Sequence, residues 1–498
     1  MATEESKQDN VLKTIGLLIG PSLFVLIARL EPFPLSPEAN RVLGVAVWML
    51  SWWILESVPL AVTALLPMLL FPLLGVMSAE DAAKGYANPI VYLFFGGFML
   101  ALGLEEHGLH KRIALMIIRF TGFSPARLIL GFMLSTALLS MWISNTATAI
   151  MMLPMAISVL NLMSDNGRRP LNQQFSIALI LSIAYAANIG GMATLIGSPP
   201  NLVMAAQLRE FMDIEVSFMA WLIVALPVSA VTLIAIYFLL VAVLYPCRRT
   251  IIQNVERIFA DEEKKLGKMG FAERSMLFVF LTTASLWVLR GWLEWLFPNI
   301  AISDTTIALA AAVSLFIVPA RIKNYQPLLE WKATTRLPWG ILLLFGGGLS
   351  LAGALGQVGV IDALGDLVAQ RGDGRFWLTL VLLTAVALYL TEVMSNVALV
   401  SVFVPVLCGI AIKMEMHPLY FTFPATLASS CAFMLPMATP PNAIVFSTGK
   451  LTIKNMVNAG FWCNLLALIV VLLLTQLLLP LAFDLSVESV PKFNLGTR

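Results

Sequence analysis

The stretch "SMWISNTATAIMMLPMA", Ser140–Ala156, sets a Ser-Asn-Thr triplet in the middle of a long apolar run. A second copy follows in "TEVMSNVALVSVFVPV", Thr391–Val406, with Ser395 lying 251 residues after Ser144. An asparagine flanked by hydroxyls is costly in apolar surroundings unless each polar group finds a partner. The apolar runs that hold the two copies, about 126–163 and 376–412, are each cut in half by the triplet. Each half has roughly 17 residues or fewer, too short to cross a bilayer as a helix. The pattern predicts two re-entrant helical hairpins with the polar residues at their tips.

The surrounding composition fits. The chain has 498 residues, 59% hydrophobic and 12% charged, with a mean hydropathy of +0.88. Soluble proteins are nearer half apolar and a quarter charged. Apolar spans are expected near 11–30, 41–55, 59–75, 89–105, 175–193, 217–245, 275–297, 301–320, 338–356, 420–437 and 458–483. The expected fold is therefore all-α and polytopic, with about 11 transmembrane helices plus the two hairpins. A transmembrane barrel would show short alternating segments instead. The polar opening "MATEESKQDN" and the long apolar run from Val11 do not resemble a cleaved leader. A net charge of +2 gives no sign of a nucleic-acid partner. Cys247, Cys408, Cys431 and Cys463 are scattered and read as small buried hydrophobes. His107 and His110 fall in the amphipathic "EEHGLHKR", and His417 precedes Pro418 in a loop, so no metal constellation is expected.

Lysine and arginine set the orientation. Arg248, Arg249, Arg257, Lys264, Lys265, Lys268 and Arg274 cluster in one loop, which the positive-inside rule places in the cytoplasm. Lys111, Arg112, Arg119, Arg127, Arg168, Arg169, Arg321, Lys323, Lys332 and Arg336 then fall on the same side, as does the N-terminus. The first hairpin would open from the cytoplasm, the second from outside, and the C-terminus would lie outside. An internal repeat runs through the chain: "FFGGFMLALGL" from Phe94 matches "LFGGGLSLAGAL" from Leu344, and "GSPPNLV" from Gly197 matches "ATPPNAIV" from Ala438. With the triplets, three patterns recur in one order at offsets of 250, 251 and 241. The expected topology inverts one copy relative to the other. Inverted repeats with broken helices mark secondary transporters, with the site near the midplane.

Each tip can serve two kinds of ligand. The end of the first half-helix leaves free carbonyls; with hydroxyl and amide oxygens they suit a hard cation such as Na⁺. The start of the second half-helix presents N–H groups and a positive dipole end, which suit a carboxylate. The Pro199-Pro200 and Pro440-Pro441 pairs break two further helices beside Gly197 and Ala438. No basic residue lies in the four motifs, so an anion would be held by helix ends, hydroxyls and bound cations. Glu56 reads as a solvated or capping turn residue, and Glu392 as a hydrogen-bonding support for the second hairpin. Neither HExxH nor GxSxG in a suitable context, nor an intramembrane Asp pair, supports an enzyme. A channel is compatible with paired hairpins, but duplicated broken helices favour alternating access.

At this point the chain resembles the divalent anion–sodium symporter family over nearly its whole length. The resemblance rests on "WWILESVPLAVTALLPMLLFPLLGV", both Ser-Asn motifs, "WGILLLFGGGLSLAGAL" and, most specifically, "SSCAFMLPMATPPNAIV", Ser429–Val445. It implies a Na⁺-coupled symporter of C4-dicarboxylates (succinate, malate, fumarate) in a bacterial inner membrane, with Na⁺ as coupling ion and no organic cofactor. It also implies a homodimer of scaffold and transport domains working as an elevator. The scaffold would take 1–125 and parts of 217–375, and the transport domain 126–216 and 376–498. By motif, the first sodium site would use Ser140, Ser144, Asn145 and Gly197. The second would use Thr391, Met394 by its carbonyl, Asn396 and Ala438. Substrate carboxylates would meet Asn145, Thr146, Asn396, Thr439 and Pro440, with Ser198 matching Thr439 in the first repeat. Alternatives on the same scaffold are a sodium-independent dicarboxylate exchanger and a sodium-coupled sulfate or citrate carrier. Val397 departs from the pattern, standing where the first copy has Thr146. It is nearly isosteric with threonine and removes one hydroxyl, worth about 1 kcal/mol. Val397→Thr is expected to change the relative uptake rates of different dicarboxylates while sodium dependence persists; a flat substrate profile would place position 397 off the pocket.

Overall fold

The computed structural model describes residues 2–163, 173–246, 255–323, 325–363, 365–366 and 376–485. Cys247, Arg168, Arg169, Arg248 and Arg249 lie outside the described residues. The described chain is predominantly helical, and its only strands among the described residues are two short antiparallel ones, β1 (Pro319–Arg321) and β2 (Gln326–Pro327). Eight described helices are long and apolar enough to cross a membrane, and shorter apolar helices accompany them.

The first repeat begins with a packed pair, α1 (Ala2–Leu30) and α2 (Pro37–Leu55). Ser36 caps α2, Pro37 fits its first turn, and Trp52 Nε1 ties it to the Gly16 carbonyl at 2.9 Å. The expected span 59–75 is not one helix but two, α3 (Leu60–Thr63) and α4 (Leu66–Leu73). Pro67 has no N–H to return to Thr63, so the helix breaks there. The Tyr86 hydroxyl donates to the carbonyl of Ala64 in the gap, at 2.5 Å. After α5 (Ala79–Lys84), Asn88 caps α6 (Pro89–Glu106), whose Gly96 lies so close to Ala308 that a Cβ would fall 2.6 Å from its backbone.

α7 (Leu109–Thr121) is amphipathic, as the "EEHGLHKR" stretch suggests, and leads into α8 (Pro125–Ser140). The helix stops at the triplet and restarts as α9 (Asn145–Met163). α10 (Gln173–Met192) is buried from Phe175 to its end and is the centre of the fold. It packs on α8, on α9 and on α12 (Phe218–Phe238). α11 (Pro199–Met212) restarts the chain at the first proline pair. A helix apolar all round, as α10 is, belongs inside a bundle.

The second repeat follows α13 (Val255–Leu266), α14 (Phe271–Leu296) and α15 (Asp304–Ile317). Its elements are α16 (Trp339–Gln357), α17 (Phe376–Leu390), α18 (Asn396–Lys413), α19 (Leu419–Ser429), α20 (Pro440–Phe446) and the long α21 (Ile453–Ala482). α16 corresponds to α6, the pair α17 and α18 to α8 and α9, and the pair α19 and α20 to α10 and α11. The expected span 420–437 is likewise only half helix: its second part, 430–439, is unwound.

Two surface helices join the larger blocks. α7 links α6 to α8, and α13 lies between α12 and α14. α7 is clamped to the first turn of α14, where Glu273 lies, and to the turn that follows α13. Arg112 donates from Nε and Nη2 to Glu273 Oε1 at 3.1 and 3.0 Å, from Nη2 to Oε2 at 3.1 Å, and from Nη1 to the Gly267 carbonyl at 3.0 Å. Phe259 of α13 packs on Phe123 and Phe132, and Arg119 pairs with Glu263. The Arg112–Glu273 side chains are only 21% and 14% exposed, so removing one partner strands the other. Glu273→Ala is expected to cost on the order of 2 kcal/mol, discounted from the fully buried case, and to lower the thermal midpoint in detergent. The apolar pair Arg112→Met with Glu273→Leu should recover most of that loss. An unchanged midpoint in Glu273→Ala would show that the clamp does not hold α7 against α14.

Candidate functional site

A cavity of about 930 Å³ lies where the four broken elements meet. Ser144, Asn145 and Thr146 from the first tip line it, with Gly197 and Ser198 from the first proline motif. Met394, Asn396 and Val397 come from the second tip, and Ala438, Thr439 and Pro440 from the second proline motif. Two of the expected residues, Ser140 and Thr391, do not border it. They stand fully buried behind the tips.

Their position explains the geometry of each tip. Ser140 Oγ is 2.7 Å from both Asn145 Oδ1 and the Ala187 carbonyl. Thr391 Oγ1 is 2.6 Å from both Asn396 Oδ1 and the Ser429 carbonyl. A hydroxyl has one proton and so can satisfy one of two acceptors at a time. Each tip therefore gathers three oxygens around one proton, a surplus of lone pairs that suits a hard cation. Around Gly197 three more oxygens gather: a Cβ there would meet Gly191 O at 2.6 Å, and Met141 O and Thr194 Oγ1 both at 3.0 Å, with the Thr194 hydroxyl donating to Met141 O and Asn201 Nδ2 to Gly191 O. Neutral oxygen donors at this spacing fit Na⁺ better than a soft metal.

The anion side is narrower than the motifs suggest. Prolines at the first two positions of α11 and α20 carry no N–H. At α20 the next amide, Asn442 N–H, is taken by its cap, Thr439 Oγ1, at 3.4 Å. At α11 the Asn201 amide turns back to the Ser198 carbonyl at 3.2 Å. The proline helices thus offer the cavity side chains and carbonyls rather than amides, and Pro440 can contribute only its ring and carbonyl. The amides come from the hairpin tips. In the first, Ser144 Oγ takes the Ala147 N–H at 3.2 Å, leaving those of Asn145 and Thr146 without intrahelical partners. In the second, Ser395 makes no such cap.

Unwound backbone at this depth needs partners, and two asparagines supply them identically. Asn201 Nδ2 donates to Gly191 O at 3.1 Å and Thr194 O at 2.8 Å. Asn442 Nδ2 donates to Ala432 O and Leu435 O, both at 3.0 Å. Glu392 adds a clamp in the second repeat. Its buried carboxylate accepts the N–H groups of Phe433 at 2.8 Å, Met434 at 2.9 Å and Leu435 at 3.0 Å, and Asn464 Nδ2 at 2.7 Å. The expected support role of Glu392 is thus aimed at the loop between α19 and α20 rather than at its own hairpin.

Sequence reasoning did not single out Asn188, Gly191 or the charged rim of the cavity. Asn188 projects from α10 and reaches across to the second repeat, donating from Nδ2 to Thr439 Oγ1 at 3.1 Å and Ala432 O at 3.3 Å. Gly191 gives the Asn145 amide room: a Cβ on it would lie 2.3 Å from Asn145 Oδ1. Lys13, Glu56, Glu105 and Arg336 lie at the cavity on other elements, and Arg336 pairs with Glu106. Glu56 is exposed and left-handed at the end of α2, with φ 46°, consistent with the turn expected there. Cys408, Cys431 and Cys463 are free and buried. In "AYAANIGGM" the signal for Asn188 was its isolation: one amide on an otherwise apolar helix ahead of a Gly-Gly pair.

Comparison with known proteins agrees with this architecture. The family model for the sodium:sulfate symporter transmembrane region matches residues 12–482. A sodium-dependent dicarboxylate transporter SdcS from Staphylococcus saprophyticus is 38% identical over 486 residues, covering 96% of this chain and 93% of its own length. The protein of that name from Staphylococcus aureus is 35% identical over 494 residues, covering 98% and 95%. The crystal structure of the Alcanivorax borkumensis YdaH transporter is similar in fold, with a TM-score of 0.54 at 13% identity, covering 88% of this chain and 99% of its own. With a family match over almost all its length, broken helices paired across two repeats and a shared cavity at their meeting point, this chain is an integral membrane transporter rather than an enzyme and belongs to the sodium:sulfate symporter family.

Proposed function

We propose that this protein is a Na⁺-coupled symporter that carries C4-dicarboxylates into the cell across a bacterial inner membrane. The observation that carries the reading is the pair of proton-deficient oxygen clusters, Ser140 with Asn145 and Thr391 with Asn396, each next to free helix-start amides in one cavity. The staphylococcal relatives, sodium-dependent dicarboxylate transporters, support it. One sodium ion is held by Ser140, Ser144, Asn145 and the Gly197 carbonyl. The other is held by Thr391, the Met394 carbonyl, Asn396 and the Ala438 carbonyl. The two carboxylates of the substrate lie between them, against Asn145 and Thr146 on one side and Asn396 and Thr439 on the other, with Ser198, Val397 and Pro440 shaping the pocket.

Coupling follows from the chemistry. A dianion in this cavity meets no guanidinium or ammonium from the four motifs. Its charge is balanced by the ions at the tips, so the substrate site is complete only when sodium is bound. Each asparagine serves both partners, its oxygen facing the ion and its backbone amide facing the carboxylate. The two tips approach one point from opposite faces, the first from the cytoplasm and the second from outside, with the N-terminus cytoplasmic and the C-terminus external. Residues 126–216 and 376–498 move as the transport domain of a homodimeric elevator, and α7 and α13 are the linkers to the scaffold in 1–125 and 217–375.

Two measurements test this. Purified protein in proteoliposomes should accumulate labelled succinate when a Na⁺ gradient is imposed and not when K⁺ replaces it, with sulfate and citrate taken up less well. Uptake independent of Na⁺, or of sulfate alone, would overturn the assignment. In the same assay Asn145→Ala and Asn396→Ala should each lose Na⁺-driven uptake; normal transport by either would remove that residue from the site. A separate prediction concerns Gly191→Ala. Its Cβ displaces the Asn145 amide, so the Na⁺ concentration for half-maximal uptake should rise roughly tenfold or more, an effect of at least 1.4 kcal/mol. An unaltered Na⁺ response would show that Asn145 does not need this contact.

A further inference from the structure

Several buried side-chain oxygens and nitrogens have no hydrogen-bond partner among the described residues. Of these atoms, Asn188 Oδ1 alone belongs to a residue that lines the large cavity. Asn188 is only 1% exposed, so the lone carbonyl is withdrawn from bulk water. Leaving such an acceptor unpaired is costly. The identity of the atom is fixed by chemistry, because the other end of the amide faces the Ala432 carbonyl at 3.3 Å and must be the donor.

The neighbouring hydroxyl is committed in the opposite sense. Thr439 Oγ1 accepts from Asn188 Nδ2 at 3.1 Å and from Asn442 N–H at 3.4 Å. Both lone pairs are then filled, and its proton is the only group left to offer the cavity. Asn188 and Thr439 both line the cavity, so its wall holds one donor, Thr439 O–H, and one acceptor, the buried Asn188 Oδ1. A cation does not suit this pair, since the hydroxyl has no lone pair to give and turns a proton toward the ligand. A plain carboxylate satisfies Thr439 but leaves Asn188 unpaired. A carboxylate with a hydroxyl on the adjacent carbon satisfies both.

We propose that Asn188 is a specificity-determining residue that selects 2-hydroxy dicarboxylates of the malate type, accepting the substrate hydroxyl on Oδ1 while Thr439 donates to the adjoining carboxylate. This rests on the dicarboxylate reading above and adds to it a preferred substrate class. A site built to pair a substrate hydroxyl discriminates against the analogue that lacks it, because its own polar group is then stranded.

The probe is 2-fluorosuccinate, which nearly matches malate in shape but has no proton to donate. In the wild-type protein, sodium-driven kcat/KM for malate should exceed that for 2-fluorosuccinate by roughly tenfold, the worth of one buried hydrogen bond. In Asn188→Ala the ratio should collapse toward one while the Na⁺ concentration for half-maximal uptake stays unchanged. Equal rates for the two compounds in the wild type would overturn the proposal without any variant. A ratio that survives in Asn188→Ala would also overturn it and leave Asn188 a mere support for Thr439. If neither compound nor succinate is taken up under a Na⁺ gradient, the dicarboxylate reading itself fails, a result distinct from the other two.

Discussion

A backbone that stops being helical inside a membrane leaves amides and carbonyls that lipid cannot satisfy. The fold depends on how those groups are held. Asn201 and Asn442, each the residue after a proline pair, clamp the carbonyls of their own unwound loops with a single amide. The prolines give up two N–H groups in advance, so fewer donors need partners where the helix restarts. What is left over is a set of carbonyls and hydroxyls with too few protons, and that shortage makes the place attractive to a cation. The same constraint that threatens the fold therefore prepares the site.

The two repeats solve this problem alike but not identically. The hydroxyl–amide–carbonyl cluster recurs with Ser140 in one half and Thr391 in the other. Beyond it the symmetry is broken. Glu392 gathers three consecutive N–H groups and the Asn464 amide in the second repeat. Its counterpart by the 251-residue offset is Met141, whose carbonyl instead accepts the Thr194 hydroxyl at 2.5 Å. An anion in one half and a neutral carbonyl in the other give the two loops different rigidity and different local fields. The two ion sites proposed on these loops would be chemically related but not equivalent, so they need not fill with the same affinity.

Much of this was legible in the sequence because polar interruptions stand out against an apolar background. The duplicated triplets and proline pairs located both breaks, and the residues expected at the site gather around one cavity with Ser140 and Thr391 just behind it. Less legible was anything set by close approach or by direction. The 59–75 run looked continuous because Pro67 and Tyr86 act through backbone groups that hydropathy does not register. Gly191 looked like any membrane glycine until the Asn145 amide was seen to need its missing side chain. Glu392 was recognised as a support, but its target lies 41 to 43 residues away in the chain and only folding brings it there. Asn188 carried no motif at all.

Asn188 also joins the two halves. Tyr185, one turn earlier on α10, donates to the Phe433 carbonyl at 3.0 Å, and Gln207 Nε2 reaches Ser401 O at 2.7 Å. With the Asn188 bonds to Ala432 and Thr439, these run from the first repeat into the second, and of the residues involved Asn188 and Thr439 line the cavity. They have no mirror partners of the same residue type, since the position matching Asn188 by the 241-residue offset is Ser429. The Ser429 hydroxyl instead donates to the Thr426 carbonyl of its own helix at 2.7 Å. The cavity wall is therefore polar in one sense only, and a ligand between the two tips meets two unlike ends. If Asn188 accepts a substrate hydroxyl as proposed, a symmetric dicarboxylate gains nothing from that asymmetry, whereas a substrate with a hydroxyl at one end would be held in a single orientation.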